Sequence, residues 1–162
     1  MLVAVIADTH GVLPPELFGH LANCEQILHL GDLGPPWLLA ELGAVAPVLA
    51  VGGNMDLPGT PELPETRRLE LAGLPVHMRH HPWEAREMVE SPAVYLHGHT
   101  HAPRVDRRDL VWHLCPGAVT YPAQGHESTM LHLDVQPGLL HVTLFDLADG
   151  RVRAQNAWPW RC

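Results

Sequence analysis

Leu2 to Ala7 form a short, unbroken apolar run that stops at Asp8, the pattern of a strand buried on both faces. Two similar runs follow, at 25–32 ending in Gly31-Asp32 and at 46–54 ending in Gly52-Gly53-Asn54. Between them, segments 14–22 and 35–43 open on paired prolines, which a first helical turn tolerates, and continue in helix formers. Strand, helix, strand, helix, strand at this spacing predicts a βαβαβ unit with parallel strands. The second half changes character. Residues 66–82 read as a hairpin turning at Ala72-Gly73, 83–90 as a helix and 92–99 as a strand. Short strand-like runs lie near 103–105, 110–114, 130–135 and 139–145. The Pro-rich stretch 56–65 is a loop, too short to divide the chain, so residues 1–162 are expected to form one domain. The pattern fits a single α/β domain with a mixed sheet, or two packed sheets with helices outside.

Composition narrows the class of function. The chain has 162 residues, a formal charge of −8 and ten basic residues, all of them arginine. No basic stripe exists along which to grip phosphates, so an extended nucleic acid is not an expected partner. Cys24, Cys115 and Cys162 are scattered without a CxxC pair, which argues against a structural zinc site or a dithiol and suits a reducing cytoplasm. The N-terminus has no basic leader and no run long enough to span a membrane, so a cytoplasmic location is expected. Thirteen histidines are many for this length and hint at metal chemistry.

In an open parallel sheet, ligands bind beyond the carboxyl ends of the strands. Five predicted strand ends carry polar side chains: Asp8-Thr9-His10, Gly31-Asp32, Gly52-Gly53-Asn54, Arg79-His80-His81 and Gly98-His99-Thr100-His101. Carboxylate and imidazole without thiolate suit Mn, Fe, Ni or Zn ions. Seven candidate ligands are too many for one tetrahedral ion and suit two ions about 3.5–4 Å apart.

ADTHG, HLGD, GGNMD, RHHP and GHTH, in that order, resemble the calcineurin-like metallophosphoesterases, in particular their small bacterial and archaeal phosphodiesterase branch. The likeness spans roughly residues 1–120 and includes CPG at 115–117. It implies two mixed β-sheets packed together and flanked by helices, an αββα sandwich. It also implies that Asp8, His10 and His101 hold one metal, that Asn54, His80 and His99 hold the other, and that Asp32 bridges them. Asp32 and Asn54 would thereby be catalytic. The implied reaction is hydrolysis of a small phosphate ester, a phosphodiester above all, by a hydroxide between two divalent ions, with Mn²⁺ favoured and Ni²⁺, Fe²⁺ or Zn²⁺ as alternatives.

The sequence departs from the family pattern in three places. His80-His81-Pro82 stands where the family shows His-Gly-His, so His81 competes with His80 as ligand; alternation through Val76 and Met78 aims His80 at the strand end. Met55 occupies the place where larger relatives carry a histidine proposed to protonate the leaving group. Cys115 replaces an asparagine, read as a local loop change. Of the other histidines, His97 and His29 read as neighbours of the site or packed core residues, and His77, His113, His132 and His141 as structural; His126 could border the substrate pocket. Trp158 and Trp160 read as a packing or self-association patch, which leaves homo-oligomerisation open. Loops 55–65 and 121–128 would set substrate identity. The alternative from another class is a binding scaffold that keeps the fold without catalysis; a metal-dependent nuclease would need a basic groove that the sequence lacks.

Overall fold

The computed structural model describes residues 1–56 and 63–161; the expectation for loop 55–65 therefore falls partly, and Cys162 wholly, outside the described residues. The three apolar runs become β1 (Leu2–Ile6), β2 (Gln26–His29) and β3 (Val48–Ala50), joined through α1 (Pro15–Leu21) and α2 (Trp37–Gly43). They pair in parallel, Val5 against Leu28 and Leu28 against Leu49. The βαβαβ reading holds.

β4 (Thr66–Leu71) and β5 (Leu74–Arg79) form the expected hairpin, and Ala72-Gly73 turns it with positive φ at both residues. Next come β6 (Ala93–Leu96), β7 (Arg104–Arg108), β8 (Val111–Cys115), β9 (Thr129–Gln136), β10 (Leu139–Asp146) and β11 (Val152–Pro159). One sheet runs β11-β10-β9-β1-β2-β3 and the other β4-β5-β6-β8-β7, each mixing parallel and antiparallel pairs. Of the two architectures open from the sequence, two packed sheets is the one observed.

Alternation builds the layers. Val3, Val5, Leu131, Leu133 and Val142 face Val76, Met78, Val94, Leu96, Trp112 and Leu114 across the sandwich, all fully buried. Ala4 and Ile6 point the other way and receive Leu17 and Leu21 of α1 and Leu38 and Leu42 of α2. Each fully buried aliphatic side chain contributes about 1.5–3 kcal/mol, so β1, apolar on both faces, ties three layers together. Both helices lie on this one side.

The outer face of the five-stranded sheet is covered differently. Residues 83–90, predicted as a helix, form turns and extended chain. Tertiary anchors decide this. The Trp83 indole N–H donates to the Leu96 carbonyl at 2.9 Å, Arg79 grips Glu87 at 2.7 Å, and Glu90 accepts from both Arg68 and His77. A stretch of eight residues gains too little from helix formation to resist them. β11 was not predicted; it adds an edge strand to β10 and brings Trp160 into the core, where it is buried, and Trp158 to within 6.3 Å of Trp112. Both tryptophans thus pack within the sandwich.

Candidate metal centre

Asp8 and His10 follow β1, Asp32 follows β2, Asn54 follows β3, His80 follows β5, and His99 and His101 follow β6. All seven predicted residues converge where the parallel strands of the two sheets end. Asp8, His10, Asp32, His99 and His101 hold positive φ angles between 45° and 67°, five of the eight non-glycine residues that do so among the described residues. Asp and His enter this left-handed region more readily than bulkier residues, yet each still gives up about 1–2 kcal/mol. Such concentration of backbone strain marks a functional site.

The first cluster is Asp8, His10 and His101. The Tyr121 carbonyl, 2.6 Å from His101 Nδ1, can only accept, so Nδ1 carries the proton and Nε2 presents a lone pair. That lone pair lies 3.4 Å from Asp8 Oδ1 and 3.5 Å from His10 Nε2. Asp8 Oδ1 is buried and has no hydrogen-bond donor. Burial pushes the Asp8 carboxyl up to about 6, with the His101 and His80 imidazoles holding it down in part. Burial lowers His10 and His99 as well, favouring the neutral ligand form. A buried carboxylate oxygen without a donor, facing an imidazole lone pair with a second ring nitrogen alongside, is a donor set that fits a cation.

The second cluster joins Asp8, Asp32 and His80. His80 Nδ1–H donates to the Leu30 carbonyl at 2.8 Å, which turns Nε2 towards Asp32 Oδ2 at 3.3 Å and Asn54 Oδ1 at 3.0 Å. His99 Nδ1 reaches the same Asn54 oxygen at 3.0 Å. Burial works against a charge on His80, but Asp32 and the Leu30 carbonyl outweigh it and raise its pKa; Asp32 is lowered because His80 and the Met55 N–H overcome its own burial. Without metal, the two form a buried ion pair whose shared proton a cation would displace. The donor set, oxygen and nitrogen without sulfur, fits borderline divalent ions.

The loops leave little room. A Cβ on Gly98 would stand 2.9 Å from Ala7 Cβ and 3.2 Å from Asp8 Oδ2. The His99 N–H meets that same Asp8 oxygen at 3.2 Å. One functional contact was not foreseen. The Asp56 carboxylate accepts the backbone N–H groups of Asp32, Leu33, Gly34 and Gly53, at 2.6 to 3.1 Å, and so staples the β2 loop to the β3 loop. The signal was present as the last residue of GGNMD.

Against this geometry stand the comparisons with known proteins. The profile of the calcineurin-like phosphoesterase superfamily domain matches residues 1–138. A probable metallophosphoesterase of Methanothermobacter thermautotrophicus is 33% identical over 145 residues, covering 81% of this chain and 84% of its own. The chain belongs to the calcineurin-like phosphoesterase superfamily. As a member of that superfamily it is a metal-dependent phosphoesterase, and its cofactors are divalent metal ions. A second probable metallophosphoesterase, from Methanocaldococcus jannaschii, is 34% identical over 135 residues, 75% of this chain and 70% of that protein. Among solved structures, the Escherichia coli phosphoesterase YfcE superposes with a TM-score of 0.78 at 22% identity, over 96% of this chain and 98% of its own. Vacuolar Protein Sorting 29 from Cryptosporidium parvum gives 0.82 at 20% identity, over 98% and 97%. Both share the fold.

The remaining residues of this calcineurin-like phosphoesterase sort by contact. His81 is exposed, its ring 4.3 Å from that of His99 and outside both clusters. His29 is fully buried; it accepts from the Gly31 N–H and bonds Thr9 Oγ1 at 2.9 Å, and burial drives it down to about 3. His97 donates to the Gly98 carbonyl and packs on His113 with 4.8 Å between ring centroids; burial lowers both to about 4. His77 stacks on Tyr95 and His132 lies 3.0 Å from the His20 carbonyl, inside the scaffold. His126, expected near the substrate, lines a separate small cavity with Pro103 and Arg153 because the turn at 123–126 carries it away. Cys115 is buried beneath the ligand loop, 3.6 Å from Thr100 Oγ1, and its thiol is pushed up to about 11.

Proposed function

We propose that this chain is a dinuclear phosphodiesterase acting on small phosphate diesters. The observation that carries the reading is that Asp8, whose Oδ1 is buried without a hydrogen-bond partner, belongs to both adjoining clusters of candidate ligands. Asp8, His10 and His101 would hold one ion; Asn54, His80 and His99 would hold the other, with Asp32 between them. Divalent ions there would orient the phosphoryl oxygens and bring the pKa of a bound water from about 15.7 towards 7. Mn²⁺ is favoured, with Ni²⁺, Fe²⁺ or Zn²⁺ as alternatives; Vps29 from Entamoeba histolytica, a fold neighbour at 23% identity, has been solved with Zn²⁺.

The chain's own part is to hold every ligand in its working form. The Tyr121 and Leu30 carbonyls fix the tautomers of His101 and His80. The Met55 and His99 N–H groups orient Asp32 and Asp8. No proton donor extends from Met55, whose exposed thioether cannot protonate a leaving group. Esters with acidic leaving groups would therefore react fastest. A complete donor set supports catalysis over a bare scaffold. The two described cysteines, both free and buried, agree with a reducing cytoplasm, and no helix among the described residues is long and apolar enough to cross a membrane.

The direct test is hydrolysis of bis-p-nitrophenyl phosphate by metal-stripped protein, before and after Mn²⁺, with Asp32→Ala alongside. Activity that needs the metal and disappears in the variant supports the reading. Inactivity with Mn²⁺, Ni²⁺, Zn²⁺ and Fe²⁺ alike would leave the scaffold.

A further inference from the structure

Seven large apolar side chains are exposed among the described residues, and four of them lie on segments beside the metal candidates: Val12 and Met55 on loops that carry such residues, Trp37 at the start of α2 after the Asp32 loop, and Tyr121 on the loop at 117–123. Scattered apolar residues on a surface need no explanation, but four on the segments that flank one polar site do. Val12, Met55 and Tyr121 are tied to the centre through their backbones. The Val12 N–H bonds the Thr9 carbonyl, and the Met55 N–H bonds Asp32 Oδ1. Pro35, two residues before Trp37, packs on Gly11.

Tyr121 is the most constrained of the four. Its carbonyl holds His101, its ring meets that of His10 edge-on at 5.8 Å, and its side chain is 72% exposed. Its φ is +52°, which for a bulky aromatic residue is a true outlier. A glycine or asparagine would suit that backbone better. The carbonyl's bond to His101 accounts for the backbone, while the ring stands largely exposed beside His10.

Charge gives the second half of the argument. Loops 8–13, 31–37, 52–56, 98–102 and 117–123 contain no arginine or lysine, and next to His80 stands one, Arg79, whose guanidinium is engaged by the Glu87 carboxylate and the His81 and Pro82 carbonyls. Beyond the metal candidates, the cation nearest in sequence, Arg79, is already neutralised by Glu87, so little rewards the second negative charge of a monoester. A substrate meets apolar surface and one aromatic face. We propose that Tyr121 is a stacking platform that selects phosphodiesters whose non-leaving ester arm ends in a planar aromatic group. This rests on the phosphodiesterase reading above and names its substrate class. The platform would act on binding, and therefore mainly on KM.

Three p-nitrophenyl diesters with one leaving group test it: the methyl, phenyl and thymidine-5′ esters. Stacking of one ring on an aromatic side chain is expected to favour an aromatic arm over methyl by about 5- to 100-fold in kcat/KM. Tyr121→Gly, which fits the backbone, should erase that preference, and Tyr121→Phe should keep it. Thymidine preferred over phenyl would name a nucleotide, and the reverse a simple aryl ester; either supports the platform. Equal preference in wild type and Tyr121→Gly overturns it.

A binding arm separates the two hypotheses. Calorimetry of Mn²⁺-loaded protein with phenylphosphonate and methylphosphonate should show tighter binding of phenyl in wild type alone, whether or not any ester is hydrolysed. Binding without hydrolysis would sink the phosphodiesterase reading and spare the platform. Equal affinity for both phosphonates, above all with concentration-dependent dimers that Tyr121→Gly dissolves, would assign these apolar side chains to a second copy and end the proposal.

Discussion

The carboxylate of Asp56 lies 2.6 Å from the backbone nitrogen of Leu33, and through the same side chain it holds three further amides on two loops. Removing it would leave buried N–H groups without a partner, each costing about 1–3 kcal/mol. Asp56→Ala should therefore lower stability by about 2–4 kcal/mol in denaturant titration, the amides partly reaching water. Because Asp32 sits on the released loop, metal affinity should also fall about 10- to 100-fold, as for other residues that orient ligands. Unchanged affinity in a folded Asp56→Ala protein would show that the staple serves stability alone.

Asp8 is held at a disadvantage without metal. Burial raises its carboxyl from 3.8 to about 6, so its ionisation at neutral pH weighs against folding. Asp8→Asn should stabilise the metal-free protein by about 1–3 kcal/mol at pH 7 and at the same time abolish the rise in Tm on adding Mn²⁺. Near pH 6, metal binding by the wild type should release protons, read by calorimetry in buffers of different ionisation enthalpy.

Acid should unfold the metal-free protein early. His29, His97 and His113 are lowered from 6.5 to about 3, 4 and 4 by burial, so the unfolded chain binds their protons first as pH falls below 6.5. Stability they contribute is present above 6.5 and lost as pH falls towards 4. Asp8 acts in the opposite sense, since between 3.8 and 6 the folded state holds its proton more tightly. His10, His99 and His132 are lowered by burial as well, so with Asp8 opposing, unfolding takes up at least about two protons, or at least about 3 kcal/mol per pH unit between pH 4 and 6. A flat Tm across that window would contradict the burial of these rings. His113→Gln should flatten the slope by about one proton.

His80 and His81 offer a direct contrast. His80 is buried between Asp32 and Asn54, while His81 is exposed beyond them. His80→Ala should reduce bound metal, counted by elemental analysis, from two ions per chain to one. His81→Ala should leave the count at two. The reverse result would exchange their roles.

Leaving-group chemistry provides a further check. With Met55 unable to donate a proton, rates should rise steeply as the leaving group becomes more acidic, so that aryl diesters outrun alkyl monoesters. Faster turnover of an alkyl monoester would point to an acid elsewhere.

Much of this was legible in the sequence, for identifiable reasons. β1 to β3 show themselves because strands buried on both faces must be apolar throughout, and their ends show themselves because Asp8, Asp32 and Asn54 have no place in a core. The hairpin at Ala72-Gly73 carries its own turn chemistry. What stayed hidden depends on partners distant in sequence. β11 places Ala154 and Asn156 on its half-buried positions, residues with no strand signature, and exists because β10 offers it an edge. Segment 83–90 has helical composition but answers to Leu96, Arg79, Arg68 and His77. Asp56 lies within a motif read for its asparagine, and its role appears only when two loops meet. Tyr121 shows nothing in sequence, since neither exposure nor backbone sign is written there.

Five of the residues proposed to bind metal occupy left-handed backbone, where glycine or asparagine would rest more easily. Heat resistance and chemistry thus pull these five codons in opposite directions. A library selected for thermal tolerance alone should drift away from the parental side chains first at those codons, and the survivors would be durable proteins that hydrolyse nothing. Ranking such a library by melting temperature would trace the outline of the active centre without one assay of catalysis.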